Sequence, residues 1–502
     1  MKQGGGNMNR TRFFMFFITI TCAFGFLHKS SAQAKPVKLC PVVTLEGSWE
    51  KIGYDTAYYF RHTIEKGAKQ FRNLGVGPKK AQDCYDRVEG LIHDDIKKQI
   101  QGMQKGLSDL GLNEPPLNKV LIWNFAQDIL QRWDLGCTAF AFHSPENGIF
   151  LAHNTDNVAA TIKMNTVIHF KPDNGDNAFL SWFAPGFVGV GMGINDKKLA
   201  LSFNVGEPNN NAEIGLPVVF KAREVLAKCD DLQCAIDRFS RFLDEGGNYG
   251  EMGAILTVVD FNDSTMARIQ ICSDKMSVTY GHELHAEKVT YSAVANHFEG
   301  RCALEEPGRF RPLAWLSRIF RGNRKDSSHH RYERLMELIT TEGIKYDMET
   351  CWWILTDSRG KLPNNNTICR RGFPVSTTAS HVLTERSCYY SLGLPSKYLA
   401  TYGKPLFIDL DDGLSRAVQP SITGTVKREG PYPAPSTRID LILSPAKDDT
   451  LTTYTSPEEG TFVFNNLVAG EYRVRVGKQH HGVDVDYDGE NVEDLDCYIN
   501  HN

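Results

Sequence analysis

The chain has 502 residues, of which 41% are hydrophobic, and this content is sufficient to bury a large core. Lys and Arg number 56 against 60 Asp and Glu, so the formal net charge is −4. A chain without an excess of positive charge gives no reason to expect a nucleic-acid partner. From the length and the hydrophobic content we expect one large domain with a smaller appendage.

The N-terminus has the pattern of a secretory signal peptide. Behind Arg10 and Arg12, an apolar stretch runs from Phe13 to Leu27, which is too short to span a bilayer comfortably. Small residues follow at Ser30–Ala34, at positions compatible with cleavage by a signal peptidase. We expect residues 1–34 to be removed and the protein to be exported to an extracellular, periplasmic or lysosomal compartment.

The next segment, residues 35–136, is predicted to be mostly helical. Apolar residues recur at intervals of three and four in Asp83–Leu110 and in Leu117–Trp133, as on one face of a helix. The pattern changes at Gly136-Cys137, which opens a β-branched and aromatic run. This change marks the start of a domain that we place at residues 137–415.

The pair Gly136-Cys137, followed by Asp156 at the end of the next β-like run, is the layout of a self-cleaving hydrolase precursor. A free thiol has a pKa of about 8.5, so only a few per cent is thiolate at neutral pH. If Cys137 attacks the Gly136 carbonyl and the thioester hydrolyses, its freed amine, with a pKa of about 7.7, becomes a general base. Asp156 would orient that amine and balance its charge.

One point supports this interpretation of Gly136-Cys137 and another opposes it. Glycine has no Cβ, which makes a strained scissile peptide easier to hold. Taken alone, however, a Gly-Cys pair that enters a strand is most often a packed core cysteine or half of a disulfide. The argument for catalysis therefore depends on residues further along the chain.

From about Gly47 to Asp412, the sequence resembles the acyl-coenzyme A:6-aminopenicillanic acid acyltransferase family of N-terminal-nucleophile (Ntn) hydrolases. Choloylglycine hydrolase and acid ceramidase are more distant relatives of the same kind. The likeness lies in Leu135–Phe140, Gly148–Asn157, Leu199–Asn204, Ala295–Phe298 and Ser327–Arg334. The resemblance implies an α+β fold with a four-layer αββα sandwich, in which the helical prosegment becomes a small subunit that stays associated after cleavage.

The resemblance also assigns roles to three further residues. It implies that Asn204 donates to the oxyanion, that Asn296 lies beside the nucleophile, and that Arg331 lies near Cys137. Asn204 could equally be a turn residue at the end of a strand. Arg331 could be a solvated residue in the first turn of a helix that begins there and is capped by a preceding serine.

His153 departs from the family pattern. Choloylglycine hydrolases and acid ceramidases usually have arginine at this position, whereas a histidine changes its charge near neutral pH. We therefore expect His153 to tune the charge beside the nucleophile and to make activity sensitive to pH.

The cysteine count agrees with export. Of twelve cysteines, Cys22 leaves with the signal peptide and Cys137 is assigned to catalysis, and the remaining ten permit full pairing in an oxidising compartment. Cys229 with Cys234, and Cys351 with Cys369, are close enough in sequence to suggest local loops. No Cys-x-x-Cys zinc spacing occurs, so we predict no metal site and no cofactor.

A separate module is predicted at residues 420–477. Four runs of alternating apolar and polar residues lie between turn signals, and they resemble the small β-sandwich modules of the carboxypeptidase-regulatory-like or transthyretin-like type. We expect residues 478–502 to form a solvated acidic tail. The run Asp484–Gly489 has the oxygen ligands of a calcium loop, but Leu495 stands where that loop has a bidentate carboxylate.

These features together predict a secreted, self-processing cysteine hydrolase or acyltransferase that acts on a small-molecule or lipid amide. One alternative is a lipid amidase of the ceramidase or N-acylethanolamine type. It is favoured if the basic and aromatic segment from Arg309 to Lys325 contacts anionic lipid, but this segment could equally be an insertion loop packed inward. An alternative of another class is an exported binding protein that has lost catalysis.

Overall fold

The computed structural model describes residues 42–110, 115–130, 136–158, 165–206, 215–249, 253–284, 289–299, 324–360, 362–372 and 375–410, together with seven C-terminal strands between residues 421 and 499. The predicted signal peptide and residues 309–323 of the basic segment lie outside the described residues. In the part of the chain that is described, no helix is long and apolar enough to cross a membrane.

Two large sheets form the centre of the protein. The first sheet has the order β1 (Val42–Gly47), β4 (Thr166–Pro172), β5 (Phe179–Phe183), β6 (Met192–Asn195), β7 (Leu199–Val205), β8 (Ala254–Asp260), β9 (Thr265–Cys272) and β10 (Lys275–Tyr280). The second has the order β11 (His282–Leu284), β12 (Val289–Val294), β2 (Gly136–Ser144), β3 (Gly148–Val158), β13 (Val375–Leu383), β14 (Ser387–Leu392) and β15 (Leu406–Asp409). The strands β2 and β3 lie in the interior of this sheet, and residues on both faces of β2 are buried.

Helices cover the outer faces of both sheets. The helices that share an apolar core with the first sheet are α1 (Trp49–Asn73), α2 (Pro78–Val88), α3 (Asp94–Asp109), α4 (Pro116–Leu130), α5 (Val218–Lys228) and α6 (Leu232–Asp244). Those beside the second sheet are α7 (Arg324–Ile339), α8 (Met348–Leu355) and α9 (Pro395–Tyr402). Because the two sheets pack face to face through a third apolar cluster, the predicted four-layer αββα arrangement is confirmed.

The side chains of β2 alternate between two different environments, as the period of a strand requires. Phe140 and Phe142 pack with Leu335 of α7 and Ile354 of α8. Ala141, between them in sequence, packs in the cluster that joins the two sheets. The odd-numbered residues of this strand therefore face the first sheet, and the even-numbered residues face the helices.

The segment before Cys137 is an integral part of the fold. Its first strand, β1, pairs in parallel with β4, and its helices pack on the first sheet. The predicted helix Asp83–Leu110 is in fact two helices, since α2 ends at Val88 and α3 begins at Asp94. A short 3₁₀ turn lies between them, and the His93 side chain caps the second helix by accepting from the Asp95 backbone N–H.

We expect Gly102→Ala to destabilise the packing of α1 on α3. A Cβ at this position would lie 1.9 Å from the Glu50 carbonyl oxygen, so the two helices would have to separate. Forcing extra atoms into a packed interface typically costs about 1–3 kcal/mol. Urea denaturation should show this loss, whereas Gly90→Ala, where a Cβ meets nothing within 4 Å, should change stability little. Equal midpoints for the two variants would contradict the expectation.

The C-terminal strands form two further sheets. A three-stranded sheet has the order β19 (Thr461–Asn465), β16 (Ser421–Arg428) and β22 (Val492–Ile499). A four-stranded sheet has the order β18 (Thr450–Tyr454), β17 (Arg438–Leu443), β20 (Gly470–Val476) and β21 (Gly482–Tyr487). The four alternating runs predicted within residues 420–477 coincide with β16, β17, β19 and β20.

The acidic C-terminus differs from the expected solvated tail. Strand β21 pairs with β20 and strand β22 pairs with β16, so most of this segment is part of the sheets. The physical reason is visible in Gly482–Tyr487, where Val483 and Val485 alternate with acidic residues at the period of a strand. Asp484 and Asp486 therefore lie on an extended, paired strand and not in a calcium loop.

Candidate active site

Cys137 lies at the start of β2, in the middle of the second sheet. Its cross-strand partner is Thr155, and the partner of Gly136 is Asp156. Since residues directly opposite each other share a face, the thiol points between the two sheets, while the Asp156 carboxylate lies on the helix side. The carboxylate is therefore placed beside the backbone of the Gly136–Cys137 peptide.

Asn296 contacts the backbone nitrogen that a cleavage before Cys137 would free. The Cys137 N–H donates to Asn296 Oδ1 at 3.0 Å. Two contacts hold Asn296 in place: its Nδ2 donates to the Val205 carbonyl at 2.7 Å, and its backbone N–H donates to Ser328 Oγ at 2.8 Å. Asn296 thus lies beside the Cys137 backbone.

Arg331 is a buried residue in the middle of α7. Its side chain is only 2% exposed, and its guanidinium donates to the Cys137 carbonyl oxygen, to Thr138 Oγ1 at 2.9 Å and to Asn296 Oδ1 at 2.6 Å. The alternative of a solvated first-turn residue is wrong, because the helix begins at Arg324. Arg331 thus connects Cys137 and Thr138 to Asn296.

Asp156 lies between two cations. Thr377 Oγ1 donates to its Oδ1 at 2.8 Å, and the Nη1 atoms of Arg331 and Arg370 each lie 3.9 Å from its Oδ2. Burial raises the pKa of Asp156, while Arg370 and Arg331 oppose that rise. The carboxylate is fully buried, so its charge depends on these two guanidinium groups.

Sequence reasoning did not find Arg370 or Thr377. Arg370 is 5% exposed, and its backbone N–H donates to Thr377 Oγ1 at 2.9 Å. Both residues lie more than two hundred positions after Asp156 and carry no local motif. Their role depends on the pairing of β13 with β3, which a single sequence does not predict.

The Cys137 thiol is buried. The residue is 6% exposed, and burial, followed by the nearby Asp156 charge, raises the pKa of Cys137 to about 12. The backbone N–H groups of Asp156 and Val205 and the Arg331 charge act in the opposite direction. At neutral pH the thiol is therefore almost entirely protonated.

Asn204 lies within β7 and is fully buried. Its Nδ2 donates to the Ala295 carbonyl at 2.9 Å, next to Asn296, whose own Nδ2 donates back to Val205. The two asparagines thus join the end of β7 to the end of β12, beside the Cys137 thiol. Asn204 is a strand residue with a tertiary contact and not a turn residue.

His153 is neutral at physiological pH, contrary to the expectation from the sequence. Burial lowers its pKa to about 4, since the side chain lies between the sheets with 2% exposure. Its cross-strand partner on β13 is His381, which burial also keeps neutral, with a pKa lowered to about 3. The pair adds no permanent charge beside Cys137.

We expect His381→Phe to reduce the loss of stability on acidification. The folded pKa is below the unfolded value of 6.5, so the contribution of neutral His381 is complete above pH 6.5 and is lost as the pH falls towards about 3. At pH 5 this loss is about 2 kcal/mol. Urea denaturation at pH 7.5 and pH 5 should show a smaller difference for the variant. His330→Phe, an exposed change on α7, should behave like the wild type, and equal pH dependence in all three proteins would refute the expectation.

One of the two suggested cysteine loops is present. Cys229 and Cys234 form a disulfide, which closes the turn between α5 and α6. Cys351 and Cys369 are separate buried thiols, because Cys351 lies inside α8 and Cys369 instead contacts Ser396 Oγ at 3.3 Å. Among the described residues, no cluster of His, Cys, Asp or Glu could hold a metal ion.

Residues 143–364 match the acyl-coenzyme A:6-aminopenicillanic acid acyl-transferase family. This match confirms the resemblance predicted from the sequence, and it supports acyl transfer or amide cleavage as the kind of chemistry. The matched region contains Asp156, Asn204, Asn296 and Arg331. It begins after Cys137 and ends before Arg370.

Solved structures similar to this chain include an acid amidase ortholog and a bile acid hydrolase. The N-acylethanolamine-hydrolyzing acid amidase ortholog of Caenorhabditis elegans has 16% identity and a TM-score of 0.34, covering 50% of this chain and 93% of its own. A mutant of the conjugated bile acid hydrolase of Clostridium perfringens has 13% identity and a TM-score of 0.34, covering 55% of this chain and 93% of its own. The comparison with curated proteins gave no match.

Proposed function

We propose that the protein is an exported cysteine amidase or acyltransferase of the Ntn-hydrolase type, which cleaves itself before Cys137. The observation that carries this proposal is the environment of one atom, the Cys137 backbone nitrogen. It donates to Asn296, and the buried Asp156 lies opposite the preceding residue. A peptide nitrogen has no chemical need of a buried carboxylate, whereas a free amine does.

Self-cleavage would proceed through a thioester. The Cys137 sulfur attacks the Gly136 carbonyl carbon, the C–N bond breaks, and the thiol proton goes to the leaving nitrogen. Water then hydrolyses the thioester, which gives a Gly136 carboxylate, a free thiol and a free amine on Cys137. Because the thiol begins with a pKa of about 12, the first step is expected to be slow compared with later turnover.

The mature enzyme would use the same groups on an external amide. The Cys137 amine accepts the thiol proton, the thiolate attacks the acyl carbonyl, and the amine then protonates the leaving nitrogen. Water or an acceptor amine then attacks the thioester carbonyl, which releases the acyl group and returns the free thiol. Asn204 and Asn296 each use one N–H of the carboxamide on a backbone carbonyl, and the second N–H of each can face an oxyanion. One well-placed donor of this kind lowers a barrier by roughly 3 kcal/mol.

Two structural features support export and a two-chain mature form. The Cys229–Cys234 disulfide suits an oxidising compartment. The pairing of β1 with β4 places the N-terminal segment in the same sheet as β7, so the segment would remain bound after the cut.

The test is N-terminal sequencing of the purified wild-type protein together with an amide-hydrolysis assay. We expect two fragments, the larger beginning at Cys137, and release of amine from a panel of N-acyl substrates that differ in chain length. A purified chain that stays intact from pH 4.5 to pH 8 and turns over no amide would refute the proposal. That outcome would favour an exported binding protein.

A further inference from the structure

We infer that Arg370 is a positioning residue for the Gly136–Cys137 peptide and that its guanidinium restricts residue 136 to glycine. The inference rests on the proposed self-cleavage. Arg370 belongs to none of the sequence motifs, and it lies beyond residue 364, where the family match ends.

The steric part of the inference comes from the space around Gly136. A Cβ on this residue would lie 2.5 Å from Arg370 Nη1, and 3.3 Å from both Asn296 Oδ1 and Asp156 Oδ2. The first distance is too short for any real contact, so the guanidinium or the peptide would have to move. Both other neighbours belong to the candidate site, so a displaced peptide would also disturb them.

The backbone conformation does not itself require glycine at this position. Gly136 is absent from the described glycines with a positive φ, and it occupies a regular strand position opposite Asp156. The strained peptide suggested by the sequence is therefore not the reason for the glycine. The reason is the close approach of the Arg370 side chain.

Arg370 cannot easily yield this space. Its backbone N–H donates to Thr377 Oγ1 at 2.9 Å, its Nε donates to Asn365 Oδ1 at 3.4 Å, and the residue is 5% exposed. Its Nη1 also lies 3.9 Å from Asp156 Oδ2. A shift of the guanidinium would therefore weaken its interaction with the carboxylate.

The electrostatic part of the inference concerns the ionisation of Asp156. The groups that face or act on this carboxylate are Arg331 from α7, Arg370 and Cys369 from the segment before β13, Thr377 from β13, and Cys137 from β2. Arg370 and Arg331 are the two cations among them. Removing one cation leaves a buried carboxylate that accepts a proton more readily. Because the ionised carboxylate would stabilise the positive charge on the nitrogen that leaves Gly136, cleavage would require a higher pH.

A double-mutant cycle tests the steric contact. We expect Gly136→Ala to slow the appearance of the Cys137 N-terminus about tenfold in the wild-type background, and by less than about twofold in an Arg370→Ala background. Arg371→Ala is the matched control, because Arg371 is adjacent and exposed. In that background Gly136→Ala should keep its tenfold effect. An equal slowing in the Arg370→Ala background would overturn the inference.

The pH dependence of the cleavage rate gives a second readout. It would not change if Arg370 had only a structural role. In Arg370→Ala the acidic limb of the cleavage rate should move to higher pH, while Arg370→Lys, which keeps the cation, should restore it towards the wild type. An unchanged acidic limb would overturn the electrostatic part.

If Arg370→Ala does not fold, the double-mutant cycle is measured with Arg370→Lys, whose shorter side chain also frees the space. Absence of cleavage in the wild type would instead refute the proposed function.

Discussion

Replacing Cys137 with alanine is expected to leave a single uncut chain and to abolish amide turnover. Removal of the nucleophile alone lowers kcat on the order of 10⁶-fold in a serine protease studied in this way. Here the same atom would perform both self-cleavage and turnover, so both should disappear together. The measurements are an intact-mass spectrum of the purified protein and an assay of amine release.

Cys84→Ala is the matched control for this variant. Cys84 is also a buried thiol, and burial raises its pKa to about 11. It lies in α2, within the N-terminal segment that precedes Cys137. The control should still be cut and active. Normal processing of Cys137→Ala would show that another residue or a protease makes the cut.

Replacing Arg331 with methionine is expected to lower the free energy of unfolding by about 3–5 kcal/mol, the usual result of breaking a buried ion pair from one side. Methionine keeps much of the side-chain volume, so the effect isolates the lost charge and hydrogen bonds. The Cys137 carbonyl and Asn296 Oδ1 each lose a donor, and Asp156 loses one of its two cations.

The Arg331→Met experiment is best performed on the Cys137→Ala background, because an uncut chain unfolds as one molecule. Urea denaturation then gives the stability directly. Arg371→Met, a change on an exposed side chain, should remain within about 0.5 kcal/mol of its parent. A similar small change for Arg331→Met would mean that the buried guanidinium contributes nothing net to the fold.

The sequence predicts the parts of this site that lie on local patterns. Cys137 and Asp156 are found because a hairpin brings β2 and β3 together over a short distance in the chain. The alternation of apolar and polar residues likewise predicts the strands β16, β17, β19 and β20. These features depend on the strand period and on short-range pairing, both of which a single chain displays.

The parts that could not be predicted depend on tertiary contacts. Arg370 lies beside Gly136 because its backbone N–H donates to Thr377, which pairs with Asp156 across β13 and β3, and its sequence neighbours give no sign of this. The charge of His153 was misjudged because its burial between two sheets is a property of the whole sandwich. The start of α7 was misplaced because the packing of Arg331 beneath β2 outweighs a local capping signal.

The edge position of β1 has a consequence for anyone who produces this protein. A chain that starts directly at Cys137 would lack β1, and the backbone N–H and C=O groups of β4 that pair with it would be left open. The same chain would expose the apolar face on which α1 to α4 pack. Open strand edges and large apolar surfaces promote aggregation. Recombinant material should therefore be made from a gene that includes the N-terminal segment, since the shorter gene is expected to give inclusion bodies.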